Sequence, residues 1–390
     1  MSQDLYTSPV IVGHRGFKAK YTENTLEGFN KCFDSGATCI ETDLWKTLDD
    51  VLVISHDANT KRVFCHENNE PADYHIPSAT YDDIKDLKTI GSGEKLLKFT
   101  DVLKWYVEYV EEKDSNVHKL QLDIKKENPV KIVKLIVQDL LSVRDNIGWW
   151  LHRIQFGTWN LNVLKFLNQD PYFQKVFNKD VKNKFGLKQF DIFHISFDWR
   201  DSIHFINYNF YVDHLPNDGL FRFKLTGVSL VYISTWSLGF LTKFVPLLKV
   251  QDLKLYSWTI NTKAQYEYLD QVGRSADLKE YGVVTDLPDY MVEVKNGVEL
   301  EDSDMDSELT RLTSSDEFFG KDGSLAINLS IRQRLAYSIM KLFQSIAGPK
   351  RISDEEKKFN TRVDENSVTR IRVNLFYVWA FRTCQSYGIF

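Results

Sequence analysis

Apolar, largely β-branched runs recur along this chain, and several of them stop on carboxylate, basic or imidazole side chains. Val10-Ile11-Val12 leads into His14-Arg15-Gly16, Cys39-Ile40 into Glu41-Thr42-Asp43, and Val51 to Ile54 into His56-Asp57. The stretch Leu120 to Ile124 carries Asp123 and ends at Lys125. Such runs read as buried strands, so the polar groups gather at strand ends. Strand candidates end near Val12, Asp43, His56, Ile124, Thr158, Phe197, Ile233, Thr259 and Thr285, with helical or looped segments between most of them. Repetition on that scale predicts an α/β chain folded as a (β/α)8 TIM-type barrel. Nine candidates are one too many for eight staves. Between Asp43 and His56, Lys46 to Asp50 supplies only a turn, too short for a helical crossover, so the regular repeat breaks there.

A chain of 390 residues holds one such barrel and an appendage. The barrel is expected over 8–295. An excursion at about 58–118 forms a small lobe over one side of the strand ends, with helices starting near Thr80-Tyr81 and Thr100-Asp101. From Glu299 to Asp322 the composition turns to Glu, Asp, Ser and Gly, which marks 296–324 as an acidic, flexible linker. In the tail, 325–390, Ile331, Leu335, Ile339, Leu342 and Ile346 recur at spacings of three and four with Arg332, Arg334 and Lys341 beside them, a basic amphipathic helix that Gly348-Pro349 stops. The apolar, aromatic stretch Val373 to Phe381 falls far short of the ~20 residues of a spanning helix. Leu225 to Thr242 has no acidic or basic residue, but it falls where a barrel strand and helix are due and is expected to be buried in protein. An aromatic-rich loop is expected from Phe197 to Phe223; its rings serve either ordinary packing or a rim that admits lipid.

The net charge of −5 hides an asymmetry. From Ser324 onward there are 11 Lys/Arg against 5 Asp/Glu, a balance of +6 that leaves −11 on the rest. An acidic body argues against nucleic acid as a partner, whereas a basic tail suits an anionic bilayer surface. Cys32, Cys39, Cys65 and Cys384 form no paired motif, which fits reduced thiols in an intracellular compartment. The short polar segment before Val10 gives no sign of a cleavable leader.

Glu41 and Asp43 share one strand face with Thr42 on the other, and Asp123 and Lys125 share a face by the same rule. Three carboxylates brought together repel unless a counter-charge joins them, and hard oxygen ligands suit Mg²⁺ or Ca²⁺ rather than zinc. Arg15 and Lys125 are the groups able to neutralise a phosphate, and His14 and His56 are the groups able to pass protons near neutral pH. Ordinary readings stand beside these. Asp123 and Lys125 could form a simple ion pair, Trp258 could be a core side chain, and the remaining histidines are expected to be structural.

In order, His14-Arg15-Gly16, Glu23-Asn24-Thr25, Glu41-x-Asp43, His56-Asp57, Asp123-x-Lys125, Trp258-Thr259-Ile260-Asn261 and Gly282-Val283-Val284-Thr285-Asp286 resemble the motifs of the glycerophosphodiester phosphodiesterase family, over roughly Val10 to Asp289. Within it the chain looks most like the fungal phosphatidylglycerol-specific phospholipases C, which share an Asp at the fourth strand motif and a hydrophobic C-terminal extension. Thr22 stands where a Pro is usual, and Asp123 where Glu is usual, which shortens one metal ligand by a methylene. The resemblance implies a divalent cation on Glu41, Asp43 and Asp123. It also implies His14 as base, His56 as acid, and substrate contacts from Arg15, Lys125 and Trp258. Asn261, Thr285 and Asp286 are expected to brace the barrel rim, and Glu23 and Asn24 to shape a turn. The expected activity is hydrolysis of phosphatidylglycerol to diacylglycerol and glycerol 3-phosphate, with an anionic phospholipid surface as partner. Peripheral or monotopic attachment at the mitochondrion, lipid droplet or endoplasmic reticulum goes with it. A phosphodiesterase for water-soluble glycerophosphodiesters and a non-catalytic lipid-binding or tethering protein are the alternatives. For the tail, docking back onto the barrel or onto a partner protein is the alternative to membrane contact.

Overall fold

The computed structural model describes residues 8–177, 185–298, 310–312, 327–347 and 356–368, together with Trp379, Thr383 and Cys384. Thirteen strands are described: β1 (Val10–His14), β2 (Cys39–Lys46), β3 (Leu52–Ile54), β4 (Phe64–Cys65), β5 (Lys88–Thr89), β6 (Lys119–Ile124), β7 (Ile154–Thr158), β8 (Asp191–Ser196), β9 (Gly227–Val231), β10 (Lys254–Trp258), β11 (Tyr281–Thr285), β12 (Thr310–Leu312) and β13 (Ile327–Leu329). Eight of them, β1, β2, β6, β7, β8, β9, β10 and β11, pair in parallel, and β1 bonds to both β2 and β11, which closes a barrel. The surplus ninth candidate is β3. It runs antiparallel to β2, with Leu44 opposite Ile54 and Lys46 opposite Leu52, because a link of a few residues permits a hairpin and forbids a parallel crossover.

Side chains alternate between the outer core, under the helices, and the barrel interior. Val12, Cys39, Phe193, Tyr256 and Val284 form a small cluster of their own, apart from the main core, and fill the interior below the site. Next to them Gln155 donates to Tyr256 Oη, and Gln121 donates to Gln155, so the polar interior groups satisfy one another. With that plug in place, the polar ends of the strands face one mouth, at the C-terminal edge of the barrel.

Residues 45–96 include a second, smaller core of Trp45, Val53, Phe64, Ala72, Ile76, Ile84, Leu87 and Leu96. A capping box at Thr80 and Asp83 starts the short helix Tyr81–Ile84 in this lobe. The next helix, Phe99–Glu112, begins one residue before the expected Thr100, with Lys98 at its cap. Its buried face, Phe99, Val102, Leu103, Tyr106 and Val110, packs into the main core rather than the lobe. The first part of the aromatic stretch after β8 is a helix, Trp199–Asp213, rather than a loop, while Phe221 and Phe223 lie in the loop that follows it; Trp199, Phe205, Tyr208 and Phe223 are buried, and Phe197 and Phe210 remain exposed. Within Leu225 to Thr242, β9 is buried throughout, and among the described residues no helix is long and apolar enough to cross a membrane.

The helix Ile331–Ala347 docks on the barrel, but not by its apolar stripe. Gln333, Ala336, Met340 and Gln344 are buried, whereas Ile331, Leu335 and Leu342 are 87%, 57% and 56% exposed. Lys341 Nζ lies 3.3 Å from Asp198 Oδ2, Arg200 donates to the Tyr337 hydroxyl, and Gln344 Nε2 donates to the Phe197 carbonyl at 3.4 Å. Residues 356–368 also lie on the barrel. The buried Glu356 carboxylate accepts from the Leu161 N–H (3.1 Å), and the fully buried Lys165 donates to Lys358 O (2.8 Å) and Thr361 Oγ1 (2.7 Å). The linker at 299–309 and 313–326 and the apolar stretch Val373 to Phe381, Trp379 apart, lie outside the described residues.

Candidate active site

The turn after β1 sets the site. Arg15 (φ 54°) and Gly16 (φ 84°) both take left-handed backbone, a conformation that costs a side-chain-bearing residue about 1 kcal/mol. It aims the Arg15 N–H at Glu41 Oε2, 2.9 Å away. A Cβ on Gly16 would lie 2.9 Å from the Phe29 ring, so the turn fits only glycine there. Beneath the turn, β2 pairs His14 with Glu41 on one side and Asp43 with Asp123 on the other, which gathers the motifs across three neighbouring strands.

Glu41, Asp43 and Asp123 are all buried, and each offers a carboxylate oxygen within 4.8 Å of the other two. Lys125 Nζ lies 2.5 Å from both Asp43 Oδ1 and Asp123 Oδ2, so the ion pair between Asp123 and Lys125 exists and extends to β2. Burial together with the charges of Asp43 and Asp123 pushes the Glu41 carboxyl well above the usual range. Burial acts the same way on Asp43, but Lys125, His56 and Arg15 outweigh it and hold that carboxyl far below. Lys125 gains from the same charges: burial pulls its pKa down, but Asp123, Asp43 and Glu41 outweigh that and raise it. The trio supplies hard, converging oxygens, a donor set that fits a divalent cation.

His14 Nδ1 bonds Asp286 Oδ1 at 2.6 Å, and Asp286 also accepts from Lys18 (3.3 Å) and from Asn261 Nδ2 (3.3 Å). Asp286 is therefore the partner that orients His14 rather than only a rim brace. Burial lowers the His14 pKa, and the bond to Asp286 opposes that shift without cancelling it. His56 Nδ1 bonds Asp57 Oδ1 at 2.7 Å, and Asp57 Oδ2 accepts from Arg62 Nε at 2.5 Å. Arg62 grips Glu23 through both carboxylate oxygens (2.6 and 3.0 Å), and Glu23 in turn accepts from Arg15 Nη1 (3.2 Å). Among the described residues, the buried Arg15 Nε has no hydrogen-bond partner; it lies 3.5 Å from Asp43 Oδ2. Asn24 donates to Asp43 Oδ2 (2.9 Å) while accepting from Thr42 (2.8 Å). Glu23 and Asn24 thus hold site residues in addition to shaping the turn.

His14, Arg15, Glu41, Asp43, His56, Asp123, Lys125 and Trp258 all line one cavity of about 230 Å³. The Trp258 indole N–H is committed to the Ser229 carbonyl (3.1 Å), and its ring packs against Trp159 and Phe197, so it forms an apolar wall. Sequence reasoning passed over Trp159, whose Nε1 donates to Asp123 Oδ1 at 2.8 Å. It directly follows β7, the same strand-end position that marked the other site residues, and that position was its available signal. Arg62 stands on a short 3-10 turn with no periodic pattern to mark it.

Among solved structures, the fold resembles a glycerophosphodiester phosphodiesterase from Parabacteroides distasonis (TM-score 0.52, 18% identity, 75% of this chain and 98% of that one). It also resembles an Oleispira antarctica phosphodiesterase solved with the product sn-glycerol-3-phosphate (TM-score 0.50, 16% identity, 74% and 97%). At such identities the likeness speaks for the barrel alone. A glycerophosphodiester phosphodiesterase of Bacillus altitudinis is 44% identical over 52 residues, 13% of this chain and 21% of that protein. The human glycerophosphoinositol inositolphosphodiesterase GDPD2 is 40% identical over 60 residues, 15% and 11%. The chain therefore spans well under half the length of these two relatives. The family profile described as "Glycerophosphoryl diester phosphodiesterase family" matches residues 14–290, most of the barrel, and the chain belongs to that family of phosphoric diester hydrolases.

Proposed function

We propose that this protein is a metal-dependent phospholipase C that hydrolyses phosphatidylglycerol to diacylglycerol and glycerol 3-phosphate at the surface of an intracellular membrane. The observation that carries the reading is the convergence of two histidines, three carboxylates, Arg15 and Lys125 on one cavity. Ionised, the trio outweighs Arg15 and Lys125 by one negative charge, which would repel a phosphodiester; Mg²⁺ or Ca²⁺ on Glu41, Asp43 and Asp123 would reverse that balance and polarise a non-bridging phosphoryl oxygen. Arg15 and Lys125 neutralise the phosphate, the first through its planar fork. His14, held by Asp286 through Nδ1, offers Nε2 as the base for the head-group glycerol hydroxyl next to the phosphoester carbon. That hydroxyl attacks phosphorus intramolecularly, and His56, held by Asp57, gives its proton to the departing diacylglycerol oxygen. The five-membered cyclic glycerol phosphate then opens by water, with the two histidines exchanging roles. Choline lipids lack the attacking hydroxyl and should be poor substrates.

Membrane attachment is supported by the outward apolar stripe of the C-terminal helix, joined to the mouth through Gln344 and the Phe197 carbonyl. Three exposed side chains at ~1.5 kcal/mol each give at most about 4.5 kcal/mol, a peripheral and reversible attachment. The small cavity favours a second reading, a phosphodiesterase for water-soluble glycerophosphodiesters, and loss of all turnover with every cation would instead favour a lipid-binding or tethering protein. Truncation before residue 299 cannot separate these readings, since it would also strip Glu356 and Thr361 from buried partners on the barrel. The test is product analysis on phosphatidylglycerol vesicles and on glycerophosphoglycerol, with Mg²⁺, Ca²⁺ and chelator, for the full chain and for Leu335→Glu. A phospholipase acts on the vesicles and loses rate on them alone in the variant. An enzyme for soluble diesters is faster on the deacylated compound and indifferent to the substitution.

A further inference from the structure

A second concavity of about 1000 Å³ opens directly from the catalytic one. The two share His56, Lys125, Trp159 and Phe197, so one end of the larger groove is the wall that presents the leaving-group histidine. Its lining is dominated by Trp45, Pro77, Pro129, Trp159, Phe197 and Val368, supplied by the small lobe, the strand ends and the C-terminal segment. Two of the lysines beside it are already committed: Lys46 and Lys131 both pair with Asp50, at 2.7 and 2.8 Å. Lys125, Lys126, Glu127, Asn59, His75 and Asn366 also line it, but the rings, prolines and Val368 present most of its surface, and an apolar ligand would lie against them. The catalytic cavity, at about 230 Å³, holds a phosphate and one glycerol but not a glycerolipid, whereas the groove reaches the upper end of the range for ligand sites.

We propose that this groove is the binding site for the apolar half of the substrate, the acyl chains carried by the alcohol that His56 protonates as it leaves. The inference rests on the phospholipase reading above and adds where the chains lie: along a protein wall that includes Val368, and not wholly in the bilayer. The occupant follows from continuity. A group esterified on the His56 side of phosphorus faces this space across Trp159 and Phe197, and an apolar group gains there by leaving water for their rings and the neighbouring prolines. Each methylene that leaves water for the groove is expected to raise kcat/KM by up to about fourfold.

The experiment uses the full chain with its divalent cation and monomeric substrates: glycerophosphoglycerol, and phosphatidylglycerols with two acetyl, butanoyl or hexanoyl chains below their aggregation concentrations. With no surface present, the exposed helix cannot contribute. The wild type is expected to gain at least about tenfold in kcat/KM from the diacetyl to the dihexanoyl lipid. Ala58→Trp and Val368→Trp, which fill the groove from two separate segments, are expected to cut that gain below about threefold while glycerophosphoglycerol turnover stays within about twofold. Retained turnover of the deacylated diester also reports that each variant is folded. A wild-type gain that neither variant reduces, no gain at all along a series that is turned over, or a loss equal on acylated and deacylated substrates each overturns the groove assignment. Turnover of glycerophosphoglycerol with none of the acylated series overturns the phospholipase reading itself, a separate result.

Discussion

Asp286→Asn isolates the electrostatic part of the proposed mechanism. The carboxylate lies 2.6 Å from His14 Nδ1 and is only 21% exposed, so it is poorly screened. As His14 takes up the glycerol proton it becomes a cation beside Asp286. Two unit charges about 4 Å apart gain about 4 kcal/mol at an effective dielectric of about 20, and partial solvent access leaves about 2 to 4 kcal/mol. An uncharged amide forfeits that attraction. Its orientation fails as well: with the amide nitrogen toward His14 it donates to Nδ1 and imposes the wrong tautomer. With that nitrogen turned away it faces the Asn261 amide, which now donates to Asp286 Oδ2, and the Lys18 ammonium. A fall in kcat of about 30- to 1000-fold is expected, with KM little changed. Asp286 raises the His14 pKa against the larger effect of burial, so its removal lowers that pKa further and moves the acid limb of the kcat/KM profile to lower pH. At pH 7.5 His14 is neutral in both proteins, so the loss is not one of protonation state. Stopped assays from pH 4.5 to 9 measure both quantities. A variant within about threefold of the wild type at pH 7.5, or an acid limb displaced to higher pH, refutes the reasoning.

Three further outcomes follow from the same geometry. Arg62→Ala removes the side chain that ties Asp57 to Glu23; because Arg62 is half exposed, the expected cost is about 1–2 kcal/mol in urea unfolding, with a larger fractional loss in kcat than in KM as His56 loses its held position. Adding Mg²⁺ or Ca²⁺ at about 100 times its dissociation constant should stabilise the native protein by about 2.7 kcal/mol, read as a rise in melting temperature that Asp123→Asn reduces; no response to any divalent ion would remove the trio as a cation site. Lys165→Met should cost about 2–4 kcal/mol and expose residues 356–368 to proteolysis, since Lys358 O and Thr361 Oγ1 lose their buried donor.

How far the sequence reached depended on distance along the chain. Alternation within β2, and from β6 into the residue after it, already placed Glu41 with Asp43, and Asp123 with Lys125, from the sequence. The short link at Lys46 to Asp50 already ruled out a parallel neighbour for β3. Partners 272 and 36 residues apart, Asp286 for His14 and Trp159 for Asp123, left no local trace, because closure of the barrel and not spacing brings them together. The C-terminal helix shows the same divide. Its period of 3.6 announced an apolar stripe, yet periodicity records only that two faces differ, not which one a neighbour will cover. Shape and hydrogen bonding on the barrel selected Gln333, Ala336, Met340 and Gln344 for burial and turned Ile331, Leu335 and Leu342 outward. Sequence by itself determined the strands, their polar ends and the chemical types assembled there, since these depend on backbone period and side-chain chemistry. Tertiary structure alone decided which groups hold the histidines and where an apolar ligand has room, because both depend on contacts between segments that only the closed barrel makes neighbours.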